Sequence, residues 1–142
     1  MTRRSEIPAQ TLEAYRQSEY RVFATPPFVL RVDEPSAALR AVHARHGVAC
    51  SAFVSACNPF SHRLEEACNA ARHRALQQAL ARDHLPFIQG AGGHPDNGWP
   101  SEPSVLVLAL TLQAARALAE RLEQNAFLWS ASEAVPRLVL LR

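Results

Sequence analysis

The sequence predicts an α/β (α+β) fold: a single domain, residues 1–142, with a mixed β-sheet, helices packed on it, a βαβ crossover and hairpins. Three observations lead there. Val105 to Leu110 (VLVLAL) is an unbroken apolar run, which suits a strand covered on both faces. Immediately after it, Thr111 offers an N-cap oxygen, and Leu112, Ala115, Leu118, Ala119 and Leu122 recur at helical spacing. Ala126 to Trp129 (AFLW) then returns to strand, so the stretch reads as a crossover between two parallel strands. Elsewhere helical and strand patterns alternate, which implies helices layered on a sheet.

The elements follow in order. Residues 1–7 are expected to be disordered. Pro8 opens a short helix through about Ser18, with Leu12 and Tyr15 or Arg16 turned inward. Tyr20–Phe23 and Phe28–Val32 read as strands joined by the Ala24-Thr25-Pro26-Pro27 turn. Asp33 or Glu34 is expected to cap a helix with Pro35 in its first position, and Gly47 to stop it. Val48–Ala56 is the next strand, ended by Cys57-Asn58-Pro59 because Pro59 favours an extended Asn58. Ser61 is expected to cap the longest helix, which runs to about Asp83 with Glu65 and Glu66 in its first turn. Leu64, Cys68, Ala71, Ala75 and Ala79 are its expected buried stripe. Pro86–Gln89 is a short strand, Gly90–Pro103 a long turn-rich loop, and Arg137–Leu141 the last strand.

Composition narrows the function classes. All 15 basic residues are arginine, which removes Schiff-base and P-loop lysine chemistry. A formal charge of +2, with arginines scattered, gives no electrostatic footprint for nucleic acid. No apolar run approaches the ~20 residues of a membrane span, and the N-terminus lacks the apolar region of a secretory signal. A cytoplasmic location is therefore expected. Cys50, Cys57 and Cys68 have neither zinc-ribbon nor disulfide-framework spacing. Cys57 and Cys68 sit in apolar contexts and are expected to be buried and inert, the alternative being a reactive thiol.

Several groups could carry chemistry. Gly90–Gly93 invites a phosphate reading, but a strand follows instead of a helix, and a flexible turn is the plainer account. His62, Glu66, Asn69 and His73 share one helix face; spaced so, they could hold a metal or form an ordinary solvated surface. With no second ligand cluster, no metal site is assigned. His94-Pro95-Asp96 is either an acid–base or metal element or an Asx-type turn. Glu102, between a Gly/Pro loop and a buried strand, is the candidate catalytic carboxylate; partial desolvation there raises a pKa, as a general acid or base requires, while a structural carboxylate closing the loop is the alternative. No GxSxG, HExxH or dinucleotide fingerprint occurs, so neither an enzyme class nor a cofactor is assigned.

Connectivity predicts where a site lies. If the strands before Asn58 and at Pro86–Gln89 are parallel, both end on one side of the sheet, and Val105–Leu110 and Ala126–Trp129 begin there. Asn58, Ser61, His62, Arg63, Asn69, His94, Asp96, Trp99, Glu102, Ser104, Gln124 and Asn125 then gather at that end. The dipole of a helix starting near Ser61 favours an anion in the same place. The expected function is binding of a small anionic or nucleotide-like ligand in a cleft at one end of the sheet. The alternative is a protein–protein interaction module acting through the sheet edge or the 90–103 loop; the sequence does not indicate an oligomeric state.

The order of Tyr15-Arg16 and Tyr20, Ala56-Cys57-Asn58-Pro59, Asn69 and Leu76, Gly98-Trp99, Glu102-Pro103-Ser104 and Gln124-Asn125-Ala126 resembles the bacterial family called domain of unknown function 3293. The similarity runs from about Tyr15 onward. Ser55 stands where the family typically has Thr, and Leu122-Glu123-Gln124 lacks the glycine of its Phe-Gly-Gln. The resemblance implies a small bacterial cytoplasmic domain and no known activity.

Overall fold

The computed structural model describes residues 5–142, with helices α1 (Ala9–Gln17), α2 (Ala37–His46), α3 (Glu66–Arg82) and α4 (Leu112–Arg121). The strands are β1 (Glu19–Val22), β2 (Phe28–Leu30), β3 (Ser51–Val54), β4 (Phe87–Gly93), β5 (Glu102–Leu108), β6 (Ala126–Ser130) and β7 (Arg137–Leu140). They form one seven-stranded sheet in the order β2-β1-β4-β5-β3-β6-β7. The architecture is α+β, with helices packed on a sheet.

The two crossovers, β3-α3-β4 and β5-α4-β6, do join strands that run in the same direction. Neither pair is adjacent. β5 lies between β3 and β4, and β3 lies between β5 and β6, each pairing antiparallel to its neighbours. The sheet is therefore antiparallel throughout and not mixed. β3-α3-β4-β5-α4-β6 interlocks as the split βαβ arrangement of ferredoxin-like folds, with β1–β2 added at one edge and β7 at the other.

β5 is buried on both faces, as its apolar run requires. Val105 and Val107 join Leu76 and Leu80 of α3 and Leu118 of α4 in one core. Leu106 and Leu108 join Leu39 and Val42 of α2, Phe53 and Leu128 in the other. Leu106, Leu108, Leu118 and Phe127 are 1%, 1%, 8% and 4% exposed, the central positions the sequence marks out.

Local chemistry moved several boundaries. The expected disorder of residues 1–7 falls partly outside the described residues; of the rest, Ile7 is buried and Ser5 Oγ donates to the Arg142 carbonyl. Ser36, not Asp33 or Glu34, caps α2 by accepting from Leu39 N–H at 3.0 Å, and Gly47 ends it in the left-handed region as expected. Thr111 caps α4 through Ala114 N–H. β3 is shorter than Val48–Ala56. α3 begins at Glu66, five residues after Ser61, with Glu65 at its cap. Its inward side is set by Leu76 and Leu80, not by the small residues: Cys68, Ala71 and Ala75 are exposed. Alanines offer little area to bury, so the two leucines fix the helix rotation. Asn69, Arg72 and His73 lie half-buried on that side, and Arg72 donates to the carbonyls of Ala56 and Leu122 at 2.5 and 2.7 Å.

Gly90–Gly93 is strand and not loop. β4 runs on to Gly93 and pairs with β1 on one side and β5 on the other. A Cβ on Gly90 would lie 2.4 Å from the Arg21 carbonyl oxygen and 3.0 Å from the Phe53 ring, and one on Gly92 3.3 Å from the Tyr20 ring. The glycines thus make room for the edge-to-face pair of Tyr20 and Phe53, whose centroids are 5.5 Å apart.

Candidate functional site

Because β3 and β4 run parallel with β5 reversed between them, the end of β3, the start of β5 and the start of β6 meet at one end of the sheet. The chain leaving β3 turns sharply there. Asn58, Phe60 and Ser61 all have positive φ (47°, 53° and 60°). Asparagine tolerates this region; a bulky aromatic does not, so Phe60 is held by its surroundings. Its N–H donates to the Glu123 carbonyl at 2.7 Å, and the Arg142 guanidinium lies 4.5 Å from its ring centroid.

Asn58 organises this turn. It is 6% exposed, and its side chain is engaged from three directions. Oδ1 accepts from Leu64 N–H and from Asn69 Nδ2, both at 2.8 Å. Nδ2 donates to Glu102 Oε1 at 2.5 Å. Asn69 Oδ1 in turn accepts from the Asn58 backbone N–H at 2.9 Å. Asn69, on α3, therefore braces Asn58, and Asn58 fixes the Glu102 carboxylate.

A second cluster stands beside it. The hydroxyls of Tyr15, on α1, and Ser61 share a hydrogen bond of 2.5 Å. Asn125 Nδ2 donates to both oxygens, at 3.0 and 3.2 Å, while Asn125 Oδ1 accepts from Arg142. Gln124 Nε2 donates to the Cys57 carbonyl at 3.1 Å. Ser104 Oγ donates to the Glu102 carbonyl, and Tyr20 Oη to the Tyr15 carbonyl.

Tyr15, Tyr20, Asn58, Ser61, Glu102, Ser104, Gln124 and Asn125 line a cavity of about 310 Å³ between α1 and the sheet, with Phe53, Leu128 and Leu138 as an apolar floor. Burial raises the Glu102 carboxyl above the ordinary carboxylate range, opposed by hydrogen bonding from Asn58 and Trp99. Burial likewise pushes the Tyr20 phenol well above its usual value, so it stays neutral. Trp99 sits at the cavity mouth, 36% exposed.

The structure brings together Asn58, Ser61, His94, Trp99, Glu102, Ser104, Gln124 and Asn125 of the residues the sequence singled out. Asn69 lies behind the cavity as a brace. His62, Arg63 and Asp96 are exposed and off its lining. The α3 N-terminus, displaced to Glu65–Glu66, is off the lining as well. His94 Nδ1 accepts from Asp96 N–H at 3.0 Å, the hydrogen bond of a turn. No group of three or more His, Cys, Asp or Glu able to hold a metal occurs among the described residues. Tyr15, Tyr20, Phe53 and Ser55 also line the cavity. Strand alternation signals Phe53 and Ser55, but only the β3–β5 register shows that they share a face with Ser104.

The family model described as protein of unknown function (DUF3293) matches residues 54–127, more than half of the chain. The chain belongs to this family. No curated protein and no solved structure matches it. Within DUF3293 the matched segment runs from the end of β3 into β6, so it contains Asn58, Ser61, Glu102, Gln124 and Asn125, whereas Tyr15 and Tyr20 precede it.

Proposed function

We propose that this DUF3293 chain is a small-molecule-binding domain whose ligand enters the cavity at one end of the sheet, with Glu102 as its principal polar contact. The observation that carries the reading is convergence: five separated segments place hydrogen-bonding side chains around one cavity with an apolar floor. A carboxylate clamped by a buried, doubly braced asparagine is preorganised for a directed interaction. The lining changes the ligand class expected from the sequence. With the α3 N-terminus and every arginine from Arg16 onward off the lining, an anionic or nucleotide-phosphate ligand faces Glu102 instead. The ligand is thus polar and not anionic. We place the domain in the bacterial cytoplasm. Its three unpaired cysteines accord with a reducing compartment, and no helix among the described residues is long and apolar enough to cross a membrane.

Thermal-shift screening of a metabolite panel tests the reading, since a ligand specific to the native state raises Tm by mass action. Glu102→Gln, nearly isosteric, is expected to fold as the parent does and to reduce the shift given by hits that engage the carboxylate. A Gln variant that keeps the full shift would return Glu102 to a purely structural role.

A further inference from the structure

The cavity lining carries one carboxylate, Glu102, and none of the arginines from Arg16 onward. In a chain where arginine outnumbers acidic residues, this is a local inversion of charge. Glu102 is absent from the ion pairs of the described residues. Its Oε1 partner, the Asn58 amide, is neutral. A half-buried carboxylate without a protein cation is an open electrostatic valence that a ligand cation fills. Aromatic rings line the same cavity. Trp99, Tyr20 and Glu102 are all on its lining, Trp99 at the mouth. Tyr20 in turn packs edge-to-face on Phe53, whose ring is part of the floor. A carboxylate and aromatic rings lining one cavity supply the chemistry that holds an ammonium group, by a charge-assisted hydrogen bond and by cation–π attraction.

We infer that the cavity recognises a small cationic amine with an apolar body: the ammonium on Glu102 between Tyr20 and Trp99, the body on Phe53, Leu128 and Leu138. This rests on the small-molecule reading above and specifies its ligand class. Polar side chains, His94 among them, complete the site. Tyr15, Ser61 and Asn125 are already satisfied by one another, so they shape the wall without competing for the cation.

The test uses matched probes on two scaffolds: 2-phenylethylammonium, 2-phenylethanol and 3-phenylpropanoate, then n-butylammonium, n-butanol and pentanoate. Each is titrated into the ¹⁵N-labelled full chain, following the Trp99 indole and the backbone amides around Glu102 and Asn125. The amines are expected to bind at least about tenfold more tightly than their alcohols, the carboxylates most weakly, and the amine advantage to vanish in Glu102→Gln while alcohol binding persists. An alcohol binding as tightly as its amine would overturn the charge inference and leave the cavity reading standing. Equal amine preference in the Gln variant would overturn the role given to Glu102. Absence of cavity shifts with all six probes would overturn both readings.

Discussion

Replacing Asn58 by alanine should be among the most damaging single changes in this protein. The substitution removes the acceptor used by Leu64 N–H and Asn69 Nδ2 and the donor used by Glu102. Each lost bond costs about 1 kcal/mol, because its partner stays at least partly buried without replacement. Alanine also tolerates the left-handed φ of 47° less well than asparagine does, a further cost of about 1 kcal/mol. The sum is about 4 kcal/mol, a large share of the ~5–15 kcal/mol total of a typical domain. Urea denaturation measures it as a lower midpoint at unchanged slope. Asn58→Asp sharpens the test. Aspartate keeps the backbone tolerance and the acceptor oxygens but sets a second carboxylate against Glu102. It should destabilise at neutral pH and recover partly as either acid is protonated. A loss below about 1 kcal/mol in the alanine variant, or an aspartate variant indifferent to pH, would show that Asn58 does not organise the turn.

Other expectations follow from burial. Leu108→Ala, at a site 1% exposed, should cost about 2–5 kcal/mol by denaturation. A thiol reagent at neutral pH should label exposed Cys68 rapidly and spare Cys57, whose thiol is buried and pushed upward by that burial. Burial lowers the His43 pKa, and its Nδ1 is a buried nitrogen without a hydrogen-bond partner, so the native state favours neutral imidazole. The stability tied to that preference is full above the ordinary histidine value of about 6.5 and is lost as pH falls through the lower native value. Denaturation midpoints measured across that range should fall less in His43→Gln than in the parent.

Periodicity carried the fold as far as local patterns reach. The run Val105–Leu110 and the stripe after Thr111 gave β5 and α4 because burial on both faces and on one face write different patterns. Pairing order left no such trace. Nothing in Val48–Ala56 says that β5, rather than β4, lies beside it, since that depends on which hydrogen-bonding edge is filled. α3 departs from its sequence pattern for a related reason. Its many alanines fit any face equally, and only the two leucines at positions 76 and 80 carry enough area to choose one. The glycines of β4 read as a turn because their use is tertiary: they clear space for rings on β1 and β3.

The location of the cavity is legible in the sequence while its charge is not, and the two rest on different physics. Location follows from connectivity: two crossovers place four strand ends on one side whatever strand intervenes. Charge depended on where one helix begins. Ser61 looks like an N-cap because serine usually serves as one. Here its hydroxyl is taken by Tyr15 and Asn125, groups 46 and 64 residues away. The Leu64 N–H that a cap would serve is taken instead by Asn58. The chain can then pass through three left-handed residues before α3 starts, which carries the helix dipole away from the cavity. What remains inside is a carboxylate held by a neutral amide. The same hydrogen bonds that spoil the cap thus set the cavity's sign through Glu102.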